Sequence, residues 1–224
     1  MATGMEYALA RVAARRAMMV EESAWRRLET APSPSVFLKL ARETPLSRWL
    51  GSVGQGVDGM EMERQLRWSY RRHALEVAGW VPEAWREGVA WMGWLPWTPL
   101  LRPGAAALFP LASEEGSEWE GLRRGMEAEG WGYWLAEWRA RWPRGAAREW
   151  VALTRLEAMV GRHGARMSGE EDGWAARGAL MGALRLSYRR WEGVGRVAVY
   201  LGMSLLELER LRGAMSRRIA FGEG

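Results

Sequence analysis

The chain holds a single isoleucine, Ile219, and nowhere sustains the period-two alternation of apolar and polar residues that a half-buried strand requires. This argues against a sheet, and what remains is spacing of three and four. Met5, Leu9, Val12 and Met19 make one stripe of a helix from Met5 to Val20. Further helices follow at 22–28, at 35–42 with Val36, Phe37 and Leu40 inward, and at 60–78 with Met62, Leu66, Tyr70, Ala74 and Val77 on one face. A shorter one covers 82–92. Pro32 to Pro34, Pro45 and the glycine-rich turn Gly51 to Gly59 punctuate this half. In the second half, helices are expected near 117–128, 131–141, 145–163, 170–192, 194–200 and 205–219. Three of their starts carry Ser-x-x-Glu capping boxes, Ser117 with Glu120, Ser168 with Glu171 and Ser204 with Glu207. The fold class is all-α, with an amino-terminal helical lobe at 1–95, a proline-rich connector at 96–115 and a carboxy-terminal helical lobe at 116–224.

Leu66-Arg67-Trp68-Ser69-Tyr70-Arg71-Arg72 returns as Leu184-Arg185-Leu186-Ser187-Tyr188-Arg189-Arg190, with one substitution. Read as a repeat, it gives each lobe one copy of a helical unit and the molecule a pseudo-symmetry. Chance matching in an arginine-rich chain competes with that reading.

The longest uncharged run, Gly88 to Leu101, is followed after Arg102 by a second reaching Ser113, and together they hold Pro96, Pro99, Pro103 and Pro110. Four prolines break any bilayer helix, so this stretch reads as a loop or docking surface. The first sixteen residues already carry Glu6, Arg11, Arg15 and Arg16, which is no apolar signal segment.

Candidate chemistry is sparse. Without cysteine there is no disulfide framework, thiolate nucleophile or cysteine zinc site. The two histidines, His73 and His163, stand far apart without an acidic cluster. His73, at the edge of an apolar stripe, reads as a hydrogen-bonded core residue, and His163 as a cation near a helix end. The carboxylate pairs Glu21-Glu22, Glu114-Glu115 and Glu170-Glu171 sit at expected helix starts, where they oppose the helix dipole. The glycines of 51–59 lack the Gly-Lys-Ser/Thr ending of a phosphate loop. No residue is assigned a catalytic, cofactor-binding or metal-binding role, and no cofactor is expected.

Charge and aromatics remain. The 32 basic residues include one lysine, Lys39, and outnumber the 27 acids to give a net charge of +5. That excess suits an acidic partner or an anionic membrane face. Of the 16 tryptophans, Trp131, Trp134, Trp138 and Trp142 form one helix face, and Trp80, Trp91, Trp94 and Trp97 crowd the proline segment. They are either a core built from large side chains or a partner surface, since Trp and Arg are enriched in binding anchors. Glu127, Glu129 and Glu137 lie among the rings and would repel phosphates, which argues against nucleic acid as a partner.

The two ends of the chain carry a resemblance. Tyr7-Ala8-Leu9-Ala10-Arg11-Val12-Ala13-Ala14-Arg15-Arg16, then Trp25 to Leu28, then Phe37-Leu38-Lys39-Leu40-Ala41-Arg42-Glu43-Thr44, resembles the start of the C-type rotor protein of V/A-type (vacuolar/archaeal-type) rotary ATPases, the family that includes the eukaryotic d-type protein. Trp191-Glu192-Gly193-Val194 and Gly202-Met203-Ser204-Leu205-Leu206-Glu207-Leu208 are similar to that family's closing helix and turn. The middle, Trp80 to Trp150, lies outside the resemblance. Gly195-Arg196-Val197 stands where many relatives carry Asn-Leu-Arg, and family members are longer, usually with three helical lobes. The resemblance implies a funnel-shaped, all-helical socket on the cytoplasmic face of the membrane, peripheral and without a transmembrane helix. Such a piece is non-catalytic. It joins the central-stalk subunits to the proteolipid c-ring, coupling ATP hydrolysis or synthesis to proton or sodium transport. Without the resemblance, the residues alone suggest a helical adaptor with an Arg/Trp-rich partner surface.

Overall fold

A computed structural model of the chain describes residues 4–51, 53–54, 58–101, 116–144, 147–166 and 173–221. Every regular element among them is helical, so the chain is all-α. In order these are α1 (Met5–Ala17), α2 (Glu22–Glu29), α3 (Pro34–Arg42), a 3-10 turn (Pro45–Arg48), α4 (Gly59–Ala78), α5 (Glu83–Trp91) and a 3-10 stretch (Met92–Leu101). They are followed by α6 (Gly116–Glu129), α7 (Trp131–Ala140), α8 (Ala147–Arg166), α9 (Gly173–Arg190) and α10 (Gly193–Phe221).

Local chemistry sets the boundaries. Ser33 caps α3 by accepting from Val36 N at 3.3 Å, with Pro34 in the first helical position, where its missing N–H costs nothing. Asp58 caps α4 through Glu61 N at 2.9 Å. Gly130, at φ 61°, turns the chain from α6 into α7 in one residue, in a region of backbone space that side-chain-bearing residues avoid.

The largest departure from the sequence expectation is α10. Ser204 and Glu207 do not start a helix; they lie inside a single helix of 29 residues, and both are buried. The box Ser168–Glu171 lies outside the described residues, as do residues 102–115 of the connector. α6 does start at Gly116, beside Ser117.

The uncharged run ahead of Arg102 is also corrected: where described, it is interior, not a docking surface. Its prolines forbid a regular α-helix, yet 3-10 turns carry Trp94, Leu95, Trp97 and Leu101 into the core. One buried cluster runs through helices on both sides of the connector. Its axis is α10, which packs against α1, α3, α4, α5, α8 and α9. The two copies of the echoed heptapeptide lie on α4 and α9. In both, the Leu and the Tyr point inward (Leu66 and Tyr70, Leu184 and Tyr188), whereas Arg67 is buried and Arg185 exposed.

Candidate functional site

The middle of α10 holds a charged group in the interior. Glu207 is 3% exposed and accepts three hydrogen bonds from sequence-distant donors. Val20 N, in the α1–α2 corner, donates to Oε1 at 2.9 Å, and Trp49 Nε1 donates to Oε2 at 3.0 Å. The guanidinium of Arg48 pairs with Oε2 and stacks over the Trp49 ring, its Cζ 4.5 Å from the ring centroid. A buried carboxylate persists only where its charge is paired and its lone pairs are filled. Both conditions hold here, and the result is a joint fastening α10 to the corner after α1 and to the turn after α3.

A second buried polar pair borders it. His73 Nε2 and Tyr200 Oη share a hydrogen bond of 3.0 Å, and the ring of Trp49 meets His73 edge-on at 5.3 Å. His73 Nδ1 lies 3.7 Å from Glu76 Oε2, which favours the tautomer that keeps a proton on Nδ1 and accepts from Tyr200 at Nε2. Burial, with Arg48 and Arg15 nearby, pushes the imidazole pKa down to about 3, so it is neutral at physiological pH. Burial likewise raises the phenols of Tyr200 and Tyr70. Tyr70 Oη donates to Leu201 O at 3.0 Å. These groups are held in their neutral forms inside the packed interior, which suits a structural role. Sequence reasoning placed His73 as such a core residue; the side chain of His163 lies outside the described residues.

Beside Glu207 the surface opens into a cleft of about 330 Å³ between the α1–α2 corner, α9 and α10. Its floor is apolar, from Met19, Val20, Trp25, Met181 and Leu206. Charged groups ring it: Glu22, Arg177, Arg185 and Arg210, with Glu207 at the base. Arg210 is fixed by Glu22 at 2.7 Å and Glu29 at 2.8 Å and stacks on Trp25 at 4.6 Å. Hydrogen bonding to Arg210 holds the Glu22 carboxyl below its usual range. Arg177 bonds Glu209 at 3.3 Å. The volume falls at the small end of the roughly 300–1,000 Å³ typical of binding pockets. Nothing in the sequence marked this cleft, because its walls come from three separate segments.

The tryptophans are chiefly core. Trp131, Trp134, Trp138, Trp142 and Trp150 form a continuous ladder with successive ring centroids 5.1, 5.3, 4.9 and 4.8 Å apart. Trp134, Trp138 and Trp142 are buried, and only Trp150 at its end is exposed, at 37%. Trp68, Trp94, Trp119 and Trp97 close a four-membered ring at centroid distances of 5.3 to 6.2 Å. Arg71 Cζ lies 3.4 Å from the Trp94 centroid and bonds Glu118 at 2.8 Å, tying α4 to α6. Of the two readings of the Trp excess, this geometry favours the core.

Among the described residues, no group of acidic or histidine side chains is placed to hold a metal ion, and no helix is long and apolar enough to cross a membrane. No protein-family model, curated protein or solved structure matches the chain.

Proposed function

We propose that this chain is the non-catalytic central rotor component of a V/A-type ATPase, a helical socket that links the central stalk to the membrane proteolipid ring. One observation carries the reading: the two stretches that resemble the rotor family, at opposite ends of the chain, are joined in the fold. α1 packs on α10, and Val20, between the Tyr7–Arg16 and Trp25–Leu28 motifs, donates to Glu207 in the closing motif. A resemblance confined to two remote segments gains weight when those segments build one structural unit.

The architecture suits the task. Transmitting torque requires an element that does not bend, and α10 runs about 43 Å at 1.5 Å per residue, with neighbouring helices packed along it. In this reading the ATP chemistry belongs to the head and ion transfer to the ring, and this chain supplies shape and contact. It sits peripherally on the cytoplasmic face of the membrane through the ring, as a funnel of pseudo-symmetric lobes. Purifying the tagged chain from its own cells in mild detergent tests this. Proteolipid, stalk and nucleotide-binding proteins should co-elute, and a chain that elutes with none of them overturns the proposal.

A further inference from the structure

We propose that the outer face of α9, with the cleft along its flank, docks an acidic amphipathic helix of a partner protein. The inference stands on α9 and the cleft alone and does not need the rotor reading.

Residues 173–190 contain four arginines and no Asp or Glu. Arg177 is engaged with Glu209, but Arg185, Arg189 and Arg190 are exposed and form no ion pair with any described residue. Arg189 and Arg190 sit in the last turn, where the helix dipole favours cations. Arg185 lies a turn further in and gains nothing from the dipole.

The shape of the face points the same way. Gly178, Ala179, Gly182, Arg185, Leu186 and Arg189 are all exposed and recur at helical spacing, so they form one surface. A Cβ built on Gly178 or Gly182 would meet nothing within 4 Å, so a second backbone can approach closely there. Leu186 is 47% exposed. Gly178, Met181 and Arg185 also line the cleft, whose floor of Trp25, Met181 and Leu206 offers a socket for an apolar side chain.

A row of positive charge without ion pairs among the described residues selects a negative partner, and an apolar socket beside it selects one with apolar anchors at helical spacing. Nucleic acid meets the first requirement only. A phosphodiester strand brings no apolar anchor.

The test is fluorescence anisotropy on the full chain with a labelled helical peptide carrying Leu at i, i+3, i+4 and i+7 and Glu on the flanking positions. Controls are the same peptide with Lys for Glu and a DNA duplex. The wild type should bind the Glu peptide about tenfold or more tightly than either control, with affinity falling as salt rises. The double variant Arg185→Glu, Arg189→Glu should lose about tenfold, and Gly178→Trp, which fills the cleft wall, a comparable factor. Lys39→Glu on α3, a charge reversal off the face and half the charge change of the double variant, should leave binding unchanged. Circular dichroism and melting of each variant would confirm that the fold is intact. Failure of the wild type to bind the Glu peptide, equal binding of the Lys peptide or the duplex, or equal loss in Lys39→Glu would overturn the proposal.

Discussion

Two regions of this molecule are held together in opposite ways. Around Glu207, a single carboxylate gathers an amide, an indole N–H and a guanidinium from two remote segments, each bond directed and none replaceable by contact area. In the α5–α8 region the rings meet face and edge, with Trp91 Nε1 donating to Trp134 O at 3.1 Å and Trp138 Nε1 to Gly88 O at 3.0 Å. There the indole nitrogens of Trp94, Trp97, Trp134 and Trp142 have no hydrogen-bond partner among the described residues. Burying large aromatic area stabilises the second region without fixing much direction. The first obtains direction at the cost of desolvating a charge. The contrast amounts to a division of labour, with a rigid joint on α10 and a region of aromatic packing beside it.

That contrast can be broken most readily at the joint. Glu207→Ala strands a half-buried Arg48 and two N–H donors and is expected to cost about 3–5 kcal/mol in urea unfolding. Glu207→Gln, which keeps the shape and loses the charge, should cost less; equal costs would mean that the charge contributes nothing.

Next in size is the pH response beside the joint. The folded pKa of His73 is depressed to about 3, below the unfolded value near 6.5, so the fold favours the neutral ring. Its contribution is complete above pH ~6.5 and is lost as pH falls from there toward ~3. At pH 5 the wild type should have lost about 2 kcal/mol to this group, and His73→Gln should lack that part of the slope. Parallel profiles from pH 7 to 5 would show that His73 is not held neutral by the fold.

Within the aromatic region the expected differences are smaller. Trp138→Phe loses both ring area and its bond to Gly88 O, whereas Trp134→Phe loses ring area alone, because its Nε1 has no partner among the described residues. The first should be worse by about 1 kcal/mol in chemical denaturation; a gap as large as the cost of Glu207→Ala would show that direction matters there as much as at Glu207, and a reversed order would show that the bond to Gly88 O contributes nothing. Smallest of all, Arg123→Ala removes a pair with Glu127 whose side chains are 41% and 39% exposed. It should move the unfolding free energy by no more than about 0.5 kcal/mol.

The helices themselves were legible because an apolar stripe is a local property: α1, α4 and the leucine row of α10 announce themselves at three- and four-residue spacing. The continuity of α10 was not. Ser204-x-x-Glu207 matches a helix start by pattern, but the partners that claim Glu207 lie 187 and 158 residues away and leave no trace nearby. The interior position of Trp94 and Trp97 was hidden for a related reason, since the prolines beside them suggest a surface loop until 3-10 turns fold them in. His73 was readable from its stripe alone. The cleft was not readable at all, because it exists only once the α1–α2 corner, α9 and α10 have met.

Under the proposed rotor role, the chain matters for transport and not for hydrolysis. The most direct measurement is ATP turnover and ion uptake, side by side, in membrane vesicles holding the assembled complex with and without this chain. ATP hydrolysis should persist without the chain, while ATP-driven ion uptake disappears and returns when the chain is added back. Undiminished uptake in its absence would rule out the rotor role.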